Sequence, residues 1–295
     1  MHILISGDSL ALPRPHNPKT YDYGTETELA VNFHDTYGSL LQFGLQKLYP
    51  NAPIQVTNRA QRASTIVHIF NNLQDHLFFF QPDVFILHVG LVDCWIRPEL
   101  ETKQYVQIDS FISYYHSLLH YIQKKPKTKC IIIGICPTSE KMYNRYPGLD
   151  NEIKKYNLIL NQADEQQFFF IDMNKHLESE PLNQYLLPDD QHLNKSGNKL
   201  IYKQTLKIIQ AIIETEHGVD LLQQGHGEEA KLAFLRAFRH YPYYLEALYR
   251  ILDLCTSSLN DNSTFNRIQR FYQSTHLIDS RIDDIITKHS NLHPQ

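Results

Sequence analysis

Five short apolar runs, separated by segments with helical periodicity, place the strongest constraint on the fold of this 295-residue chain. Strands that are almost continuously apolar are typical of parallel sheets, where both faces of each strand are buried. The runs cover residues 2–6, 54–57, 84–89, 130–135 and 168–172. Amphipathic patterns predict helices at about 35–48, 63–76, 107–124 and 150–166, and a closing helix at about 196–214.

This alternation of strands and helices predicts a three-layer α/β domain built on a doubly wound parallel sheet of the flavodoxin-like kind. In such a sheet the right-handed crossovers place the functional site at the carboxyl ends of the strands. We therefore predict an α/β domain over residues 1–215, followed by a small all-α extension over residues 216–295.

The extension has the spacing of a tetratricopeptide repeat. The matching residues are Gly218, Leu221, Gly225, Ala230, Phe234, Ala237 and Pro242. One repeat is too short to be stable alone, because solenoids need about three. We expect the extension to pack on the α/β domain or on another chain, with a structural or partner-binding role that includes self-association.

The composition disfavours several classes of protein. Hydrophobic residues make up 42% of the chain, charged residues 20%, and the net charge is −4, so a nucleic-acid partner is not expected. No apolar stretch reaches the roughly 20 residues that span a bilayer. The chain enters its first apolar run without the features of a secretory signal, and its four cysteines form no CxxC pair, which predicts a cytoplasmic protein with reduced thiols. The sixteen histidines show no metal-ligand spacing, so no metal or other cofactor is predicted.

The segment 11–35, ALPRPHNPKTYDYGTETELAVNFHD, is unusually long for a connection without periodicity of its own. Such segments are usually functional or disordered. Its place directly after the first strand makes it a candidate lid, and a plain surface loop is the alternative.

The first apolar run ends abruptly at Gly7-Asp8-Ser9, a tight turn that can carry a reactive hydroxyl. A serine is a poor nucleophile unless a base takes its proton and an acid orients that base. Asp189 lies three residues before His192 in a loop just ahead of the closing helix, so its carboxylate can reach Nδ1 of the ring. Helix-capping loops are also rich in aspartate, so this pair gains its weight from the serine after the first strand.

Four ordered blocks carry a family resemblance over about residues 1–214. They are Gly7-Asp8-Ser9-Leu10, the segment NRAQRAS from Asn58 to Ser64, Gly90-Leu91-Val92-Asp93, and the segment from Asp189 to Asn194 with Gly197 following. In this order and at these predicted strand ends they resemble the SGNH hydrolases, also called the GDSL esterase/lipase family. The resemblance implies that Ser9 is the nucleophile, His192 the general base and acid, and Asp189 the residue that orients it. It also implies an acyl-enzyme intermediate without a metal.

The oxyanion hole departs from the family pattern at two positions. Ala63 stands where the second block resembles a glycine that donates its backbone N–H, and Val92 replaces an asparagine side chain of the third block. Losing one such donor lowers the rate on the order of 10²–10³-fold. Three outcomes are open. Asn58 supplies the missing hydrogen bond, the backbone donors of Ser9 and Ala63 suffice for an activated substrate, or the protein is a weak or inactive descendant.

The resemblance also implies that Gly90 and Asp93 bind substrate. Arginines in loops at the same sheet edge, Arg14, Arg59, Arg62 and Arg97, would suit a carboxylated or phosphorylated substrate if they cluster, and are otherwise solvated surface residues. Of these we predict Arg14, Arg62 and Arg97 as substrate-binding. Three aromatic residues present a sugar-stacking surface or serve as packing residues, namely Tyr21, Tyr23 and Trp95.

Together these features predict an esterase that removes a short acyl group, such as acetyl, from a carbohydrate or another polar substrate. Transfer of the acyl group to a sugar hydroxyl is a related alternative. The alternative from another class is a non-catalytic binding or scaffold protein, which the altered third block favours and the retained Ser9, His192 and Asp189 disfavour.

Overall fold

The computed structural model describes residues 1–14, 31–101, 103–163, 167–178, 180–257, 259 and 261–292. Its strands are β1 (His2–Gly7), β2 (Gln55–Asn58), β3 (Val84–His88), β4 (Ile96–Arg97), β5 (Lys103–Gln104), β6 (Lys129–Ile133) and β7 (Phe168–Ile171). Its α-helices are α1 (Tyr37–Leu48), α2 (Ile66–Asn71), α3 (Leu91–Cys94), α4 (Ile108–Gln123), α5 (Glu140–Arg145), α6 (Leu149–Leu160), α7 (Met173–Leu177), α8 (Lys195–Gln223), α9 (Gly227–His240), α10 (Leu245–Ser257), α11 (Asn262–Gln273) and α12 (Ser280–Leu292).

Five of the strands form one parallel sheet in the order β2-β1-β3-β6-β7. In this doubly wound order, strands are added to one side of β1 first and then, from β3 onward, to the other side. Ligands bind in such folds at the carboxyl ends of the strands near this switch point. The prediction of a parallel α/β sheet with a helical C-terminal region is therefore confirmed. The remaining strands, β4 and β5, form a separate antiparallel pair.

The sheet is stable because its central strands are apolar on both faces. Along β1, β3 and β6 alternate residues such as Leu4, Phe85 and Ile132 point to one face and pack into a single buried cluster. Residues of α2, α4 and α6 complete that cluster, including the fully buried Phe111 and Tyr156. A layer packed this tightly fixes the strand ends, and with them the loops that follow.

The predicted helices differ from the observed ones mainly at their ends. The helix expected at 63–76 is observed as the short α2 and a π-helical segment, Gln74–Phe79. The closing helix continues past the expected residue 214 to Gln223. In the segment proposed as a lid, residues 15–30 lie outside the described residues, and Phe33–Asp35 forms a short 3-10 helix.

The chain divides into two compact units, Met1–Thr205 and Leu206–Gln295. The second unit has a buried apolar cluster of its own, centred on Phe234, Leu248 and Phe265. Within it the ring of Phe234 lies directly over Gly218, so a side chain at that glycine would collide with the ring. In the described part of the chain, no helix combines the length and apolar character needed to cross a membrane.

Candidate active site

Ser9 follows the carboxyl end of β1, where the chain turns sharply against β3. The backbone N–H of Asp8 donates to the carbonyl of His88 at 3.1 Å. A β-carbon at Gly7 would collide with that same carbonyl oxygen, so only glycine allows the two strands to approach this closely. Ser9 then begins a 3-10 helix, Ser9–Ala11, whose first turn is capped by the Asp8 carboxylate accepting from the N–H of Leu10 at 2.8 Å. The hydroxyl is thus held at a fixed, partly exposed position.

His192 and Asp189 come from a loop that is closed on itself just before α8. The N–H of Leu187 donates to the carbonyl of His192 at 2.7 Å, and the N–H of His192 donates to Oδ1 of Asp189 at 3.0 Å. Asn194 connects this loop to the helix, since its Oδ1 accepts from the N–H of Gly197 at 3.1 Å. These local bonds fix the orientation of the imidazole ring.

The structure brings the three predicted triad residues together. Oγ of Ser9 lies 2.9 Å from Nε2 of His192, and Nδ1 of His192 lies 2.8 Å from Oδ2 of Asp189. A guanidinium nitrogen of Arg14 lies 3.4 Å from the same Nε2. Because a guanidinium only donates, this contact fits the tautomer in which Nδ1 carries the proton and Nε2 can accept the proton of Ser9.

The charge of Asp189 is stabilised by its partners. Partial burial alone would raise its pKa, but the hydrogen bond from His192 and the nearby charges of His192 and Arg14 outweigh burial and lower the pKa to about 2. Arg14 contributes an ion pair, with Nη2 3.1 Å from Oδ2 of Asp189. Arg14 was predicted to bind substrate; it lines the cavity beside Ser9, and its described side-chain contacts are with Asp189 and His192.

A cavity of about 240 Å³ opens beside Ser9. It is lined by Asp8, Ser9, Leu10, Arg14, Arg62, Ala63, Leu91, Val92, Trp95, Arg97, Gln191 and His192. The first, second and fourth sequence blocks each contribute to it, and the third contributes through Leu91 and Val92. Residues from four separate loops therefore surround one hydroxyl group.

The backbone N–H groups of Ser9 and Ala63 lie at this cavity and have no acceptor in the described part of the chain. Ala63 adopts the left-handed conformation, with φ 56°, which is rare for a residue with a side chain. It keeps the backbone conformation that a glycine adopts easily. Although alanine stands here where the family pattern has a glycine, residue 63 is exposed and still presents its N–H at the cavity.

Asn58 is not placed to supply the missing side-chain donor. Its Nδ2 donates to the carbonyl of Ala11 at 2.8 Å, and its Oδ1 accepts from the N–H of Ala60 at 3.0 Å. Asn58 does not line the cavity, whereas the apolar side chain of Val92 does. We therefore leave Asn58 out of the proposed oxyanion hole.

Gly90 and Asp93, predicted to bind substrate, lie behind the cavity rather than on its wall. Gly90 has φ 126°, which allows the turn into α3. The Asp93 side chain is fully buried, and its Oδ1 accepts from the N–H of Ile66 at 2.9 Å. Burial raises the pKa of Asp93 to about 8, with a smaller contribution from the nearby Asp8 carboxylate. Their contribution to the site is thus to hold the loops in place.

A layer of buried polar groups under Ser9 was not anticipated from the sequence. Burial raises the pKa of Asp8 to about 7 and lowers that of His88 to about 3. The rings of Tyr37 and His88 are in contact, with centroids 5.6 Å apart. Polar residues within a nearly continuous apolar run, such as His88, are the one sequence signal that could have pointed to this layer.

The predicted arginine cluster is partly present. Arg62 and Arg97 line the cavity with Arg14, whereas Arg59 forms an ion pair with Asp75 at 3.2 Å and does not. Arg62 donates to the carbonyl of Pro13 at 3.2 Å. Tyr21 and Tyr23 lie outside the described residues. No group of three or more His, Cys, Asp or Glu side chains is arranged to hold a metal ion within the ranges that the structure describes.

The sequence profile of the GDSL-like Lipase/Acylhydrolase family matches residues 19–200. The chain belongs to this family. The matched range includes Asp189 and His192 and begins after Ser9. No curated protein sequence matches the chain.

Among solved structures, the chain is similar to the acetylxylan esterase Axe2 from Geobacillus stearothermophilus. Three catalytic mutants of that enzyme, in which a histidine, a serine or an aspartate is replaced by alanine, each match with a TM-score of 0.51. Each is 18% identical, and each match covers 68% of this chain and 90% of that chain. Similarity at this level of identity concerns the fold.

Proposed function

We propose that this protein is a serine ester hydrolase that uses Ser9, His192 and Asp189 as its catalytic triad. The observation that carries the proposal is the continuous chain of contacts from Oγ of Ser9 to Nε2 of His192, and from Nδ1 to Asp189, at 2.9 and 2.8 Å. Family membership and esterase neighbours support the same class of activity. In Axe2, the catalytic mutants replace a histidine, a serine and an aspartate.

In the proposed reaction, Nε2 of His192 takes the proton of Ser9 while Oγ attacks the carbonyl carbon of the ester. The tetrahedral intermediate collapses to an acyl-enzyme as the alcohol leaves with the proton from His192. A water molecule, deprotonated by the same ring, then releases the acid and restores Ser9. Asp189 remains charged throughout, because its pKa of about 2 keeps it ionised at neutral pH.

The oxyanion formed in this reaction is stabilised by two backbone donors, the N–H groups of Ser9 and Ala63. Both lie at the cavity and lack another acceptor in the described part of the chain. Two donors stabilise the intermediate less than three would, by roughly 3–4 kcal/mol for a well-placed side-chain donor. We therefore expect an ester with a good leaving group, such as 4-nitrophenyl acetate, to be hydrolysed faster than an acetylated sugar.

The acyl group in this proposal is short, such as acetyl. A cavity of about 240 Å³ lined by three arginine side chains suits a short acyl group better than a long apolar chain. The alcohol part is a carbohydrate or a similar polar molecule, in line with the acetylxylan esterase neighbour. Transfer of the acyl group to another hydroxyl uses the same intermediate, with the sugar replacing water.

Covalent labelling of Ser9 tests the proposal. A fluorophosphonate reacts only with a serine whose hydroxyl is activated, so wild-type protein should gain one adduct by intact-mass analysis. Ser9→Ala should abolish the adduct, and Ser113→Ala, at an exposed serine on α4, should retain it. Folded wild-type protein that forms no adduct would instead support a non-catalytic binding protein, the alternative favoured by Val92.

We further propose that residues 216–295 form a separate, tetratricopeptide-like extension that binds a protein partner or a second copy. Its own apolar cluster supports this division. A chain ending near Gly218 should keep its ester hydrolysis if the extension serves only in binding. Loss of folding on truncation would contradict the division at residue 215.

A further inference from the structure

A second cavity of about 320 Å³ adjoins the one that contains Ser9. It is lined by Trp95, Arg97, Glu99, Leu100, Tyr105 and Tyr146. Trp95 and Arg97 line both cavities, so the two spaces share a wall. A ligand with its ester bond at Ser9 would extend into this second space with the part of the molecule beyond the ester oxygen.

The guanidinium of Arg97 is held in a fixed plane at this shared wall. Its Cζ lies 5.0 Å from the centre of the Trp95 ring and 5.6 Å from that of Tyr105. Pairing of β4 with β5 brings these residues together, and Tyr146 packs edge-on against Trp95 at 5.2 Å. Stacking leaves the edge of a guanidinium, which carries its N–H groups, available for a planar anion.

Arg97 has no carboxylate partner in the described part of the chain, and its buried Nε has no hydrogen-bond acceptor there. The two other arginines at the Ser9 cavity already have partners, because Arg14 is paired with Asp189 and Arg62 donates to the carbonyl of Pro13. Because Nε is buried, a ligand in the cavity would contact the terminal nitrogens of Arg97, which form no ion pair in the described part of the chain. Of the three guanidinium groups, that of Arg97 has the most to gain from an anionic ligand.

We infer that the second cavity binds the alcohol part of the ester and that Arg97 selects alcohols carrying a carboxylate or a phosphate. This inference rests on the proposed function, because it places the ester carbonyl at Ser9. Glu99 also lines the second cavity. Its negative charge keeps the anion on the side of Arg97 and suits contacts with hydroxyl groups elsewhere on the ligand.

Three substrates that differ at one carbon test this inference. They are methyl glucoside, methyl glucuronide and methyl glucoside 6-phosphate, each monoacetylated at mixed positions, with acetate release as the readout. We expect kcat/KM for at least one anionic substrate to exceed that for the neutral one by roughly tenfold or more, as one charge-assisted hydrogen bond predicts. The relative rates of the carboxylate and the phosphate identify which anion is bound.

Variants at two stacked arginines separate Arg97 from a general effect of charge. Arg97→Gln should lower the ratio of anionic to neutral rates to about one, and Arg97→Lys should restore part of it. Arg59→Gln is the matched control, because Arg59 also stacks on an aromatic ring, that of Phe80, but lines neither cavity. A wild-type preference for the neutral substrate, or equal ratios in Arg97→Gln and wild type, would overturn the inference.

Binding to Ser9→Ala protein distinguishes this inference from the proposed function. Calorimetry with the acetylated glucuronide should show affinity that Arg97→Gln weakens by about tenfold in the same background. If that binding is seen while wild-type protein fails to form a fluorophosphonate adduct, anion binding by Arg97 stands, and the hydrolase proposal fails together with selection of an ester. If Ser9 is labelled but binding is independent of Arg97, the hydrolase proposal stands and the inference fails.

Discussion

The loop before α8 and the turn after β3 each contribute an aspartate from a family motif, and they treat it in opposite ways. Asp189 is surrounded by donors and positive charge, which lower its pKa to about 2. Asp93 is fully buried with one backbone partner in the described part of the chain, and its pKa is raised to about 8. The partners of an acid, rather than its place in a motif, thus decide whether it is charged. At pH 7 we expect a charged Asp189 and a protonated Asp93.

The largest expected effect on activity comes from removing the charge of Asp189 in the loop before α8. Asp189→Asn should lower kcat/KM for 4-nitrophenyl acetate by roughly 10³–10⁴-fold, because an amide stabilises neither the required tautomer nor the imidazolium. Asp190→Asn is the matched control, since Asp190 pairs with the exposed Lys141 and lies next to Asp189. If both variants lose activity equally, the loss reflects disturbed folding of the loop and not the missing charge of Asp189.

A gain of activity should come from a substitution in the turn after β3. Val92→Asn introduces a side-chain donor at the cavity, and we expect kcat/KM to rise by about tenfold or more, within the 10²–10³-fold that one such donor can contribute. Val92→Leu has the branched shape of asparagine without a donor and should show no gain. An unchanged rate in Val92→Asn would mean that the two backbone donors already saturate the oxyanion.

The pH dependence of stability distinguishes the two aspartates directly. A raised pKa means that Asp93 stays protonated to a higher pH in the folded state than in the unfolded state. Its contribution to the free energy of unfolding is therefore fully present below about pH 4 and is lost as pH rises towards 8. The contribution of Asp189 to the free energy of unfolding has the opposite pH dependence, because it is present above about pH 4 and is lost as pH falls towards 2.

Asp93→Asn should therefore flatten the decrease in unfolding free energy between pH 5 and 8, by roughly a few kcal/mol. Urea unfolding at several pH values measures this, and Asp109→Asn, at an exposed position on α4, provides the control. A wild-type protein whose stability is level over this interval would show that Asp93 ionises at an ordinary pH.

The smallest effect concerns the backbone of the second block. Ala63 is left-handed, which costs a residue with a side chain about 1–2 kcal/mol, whereas glycine loses about 0.5–1 kcal/mol in chain entropy. Ala63→Gly should raise the unfolding free energy by up to about 1 kcal/mol, and change kcat/KM less than Val92→Asn does. Ala60→Gly, without a positive φ, should instead destabilise the protein. Similar shifts in both variants would contradict backbone strain at residue 63.

The strands and the triad were accessible from the sequence because their signals are local. An apolar run reports a buried strand by itself, and the spacing of Asp189 and His192 already limits how the two side chains can meet. Their meeting with Ser9 followed from the sheet, since the carboxyl ends of parallel strands share one edge. The structure confirms the parallel sheet on which that prediction depends.

The contacts that sequence reasoning missed depend on loops from distant parts of the chain. Asn58 looked like a free polar group, but its amide is bound to the carbonyl of Ala11. The ion pair of Arg14 with Asp189 was likewise not predicted, and substrate binding by Arg14 stays a prediction. The second cavity arises from β4 and β5, which have two residues each and no period that a pattern could reveal.

The close approach of β1 and β3 at Gly7 has a consequence for altering the proposed hydrolase. Since no side chain fits between that residue and the carbonyl of His88, the depth at which the serine stands cannot be adjusted by substitution there. Libraries aimed at new substrates should instead vary Leu91, Val92, Trp95 and Arg97, whose side chains line the cavity beside Ser9.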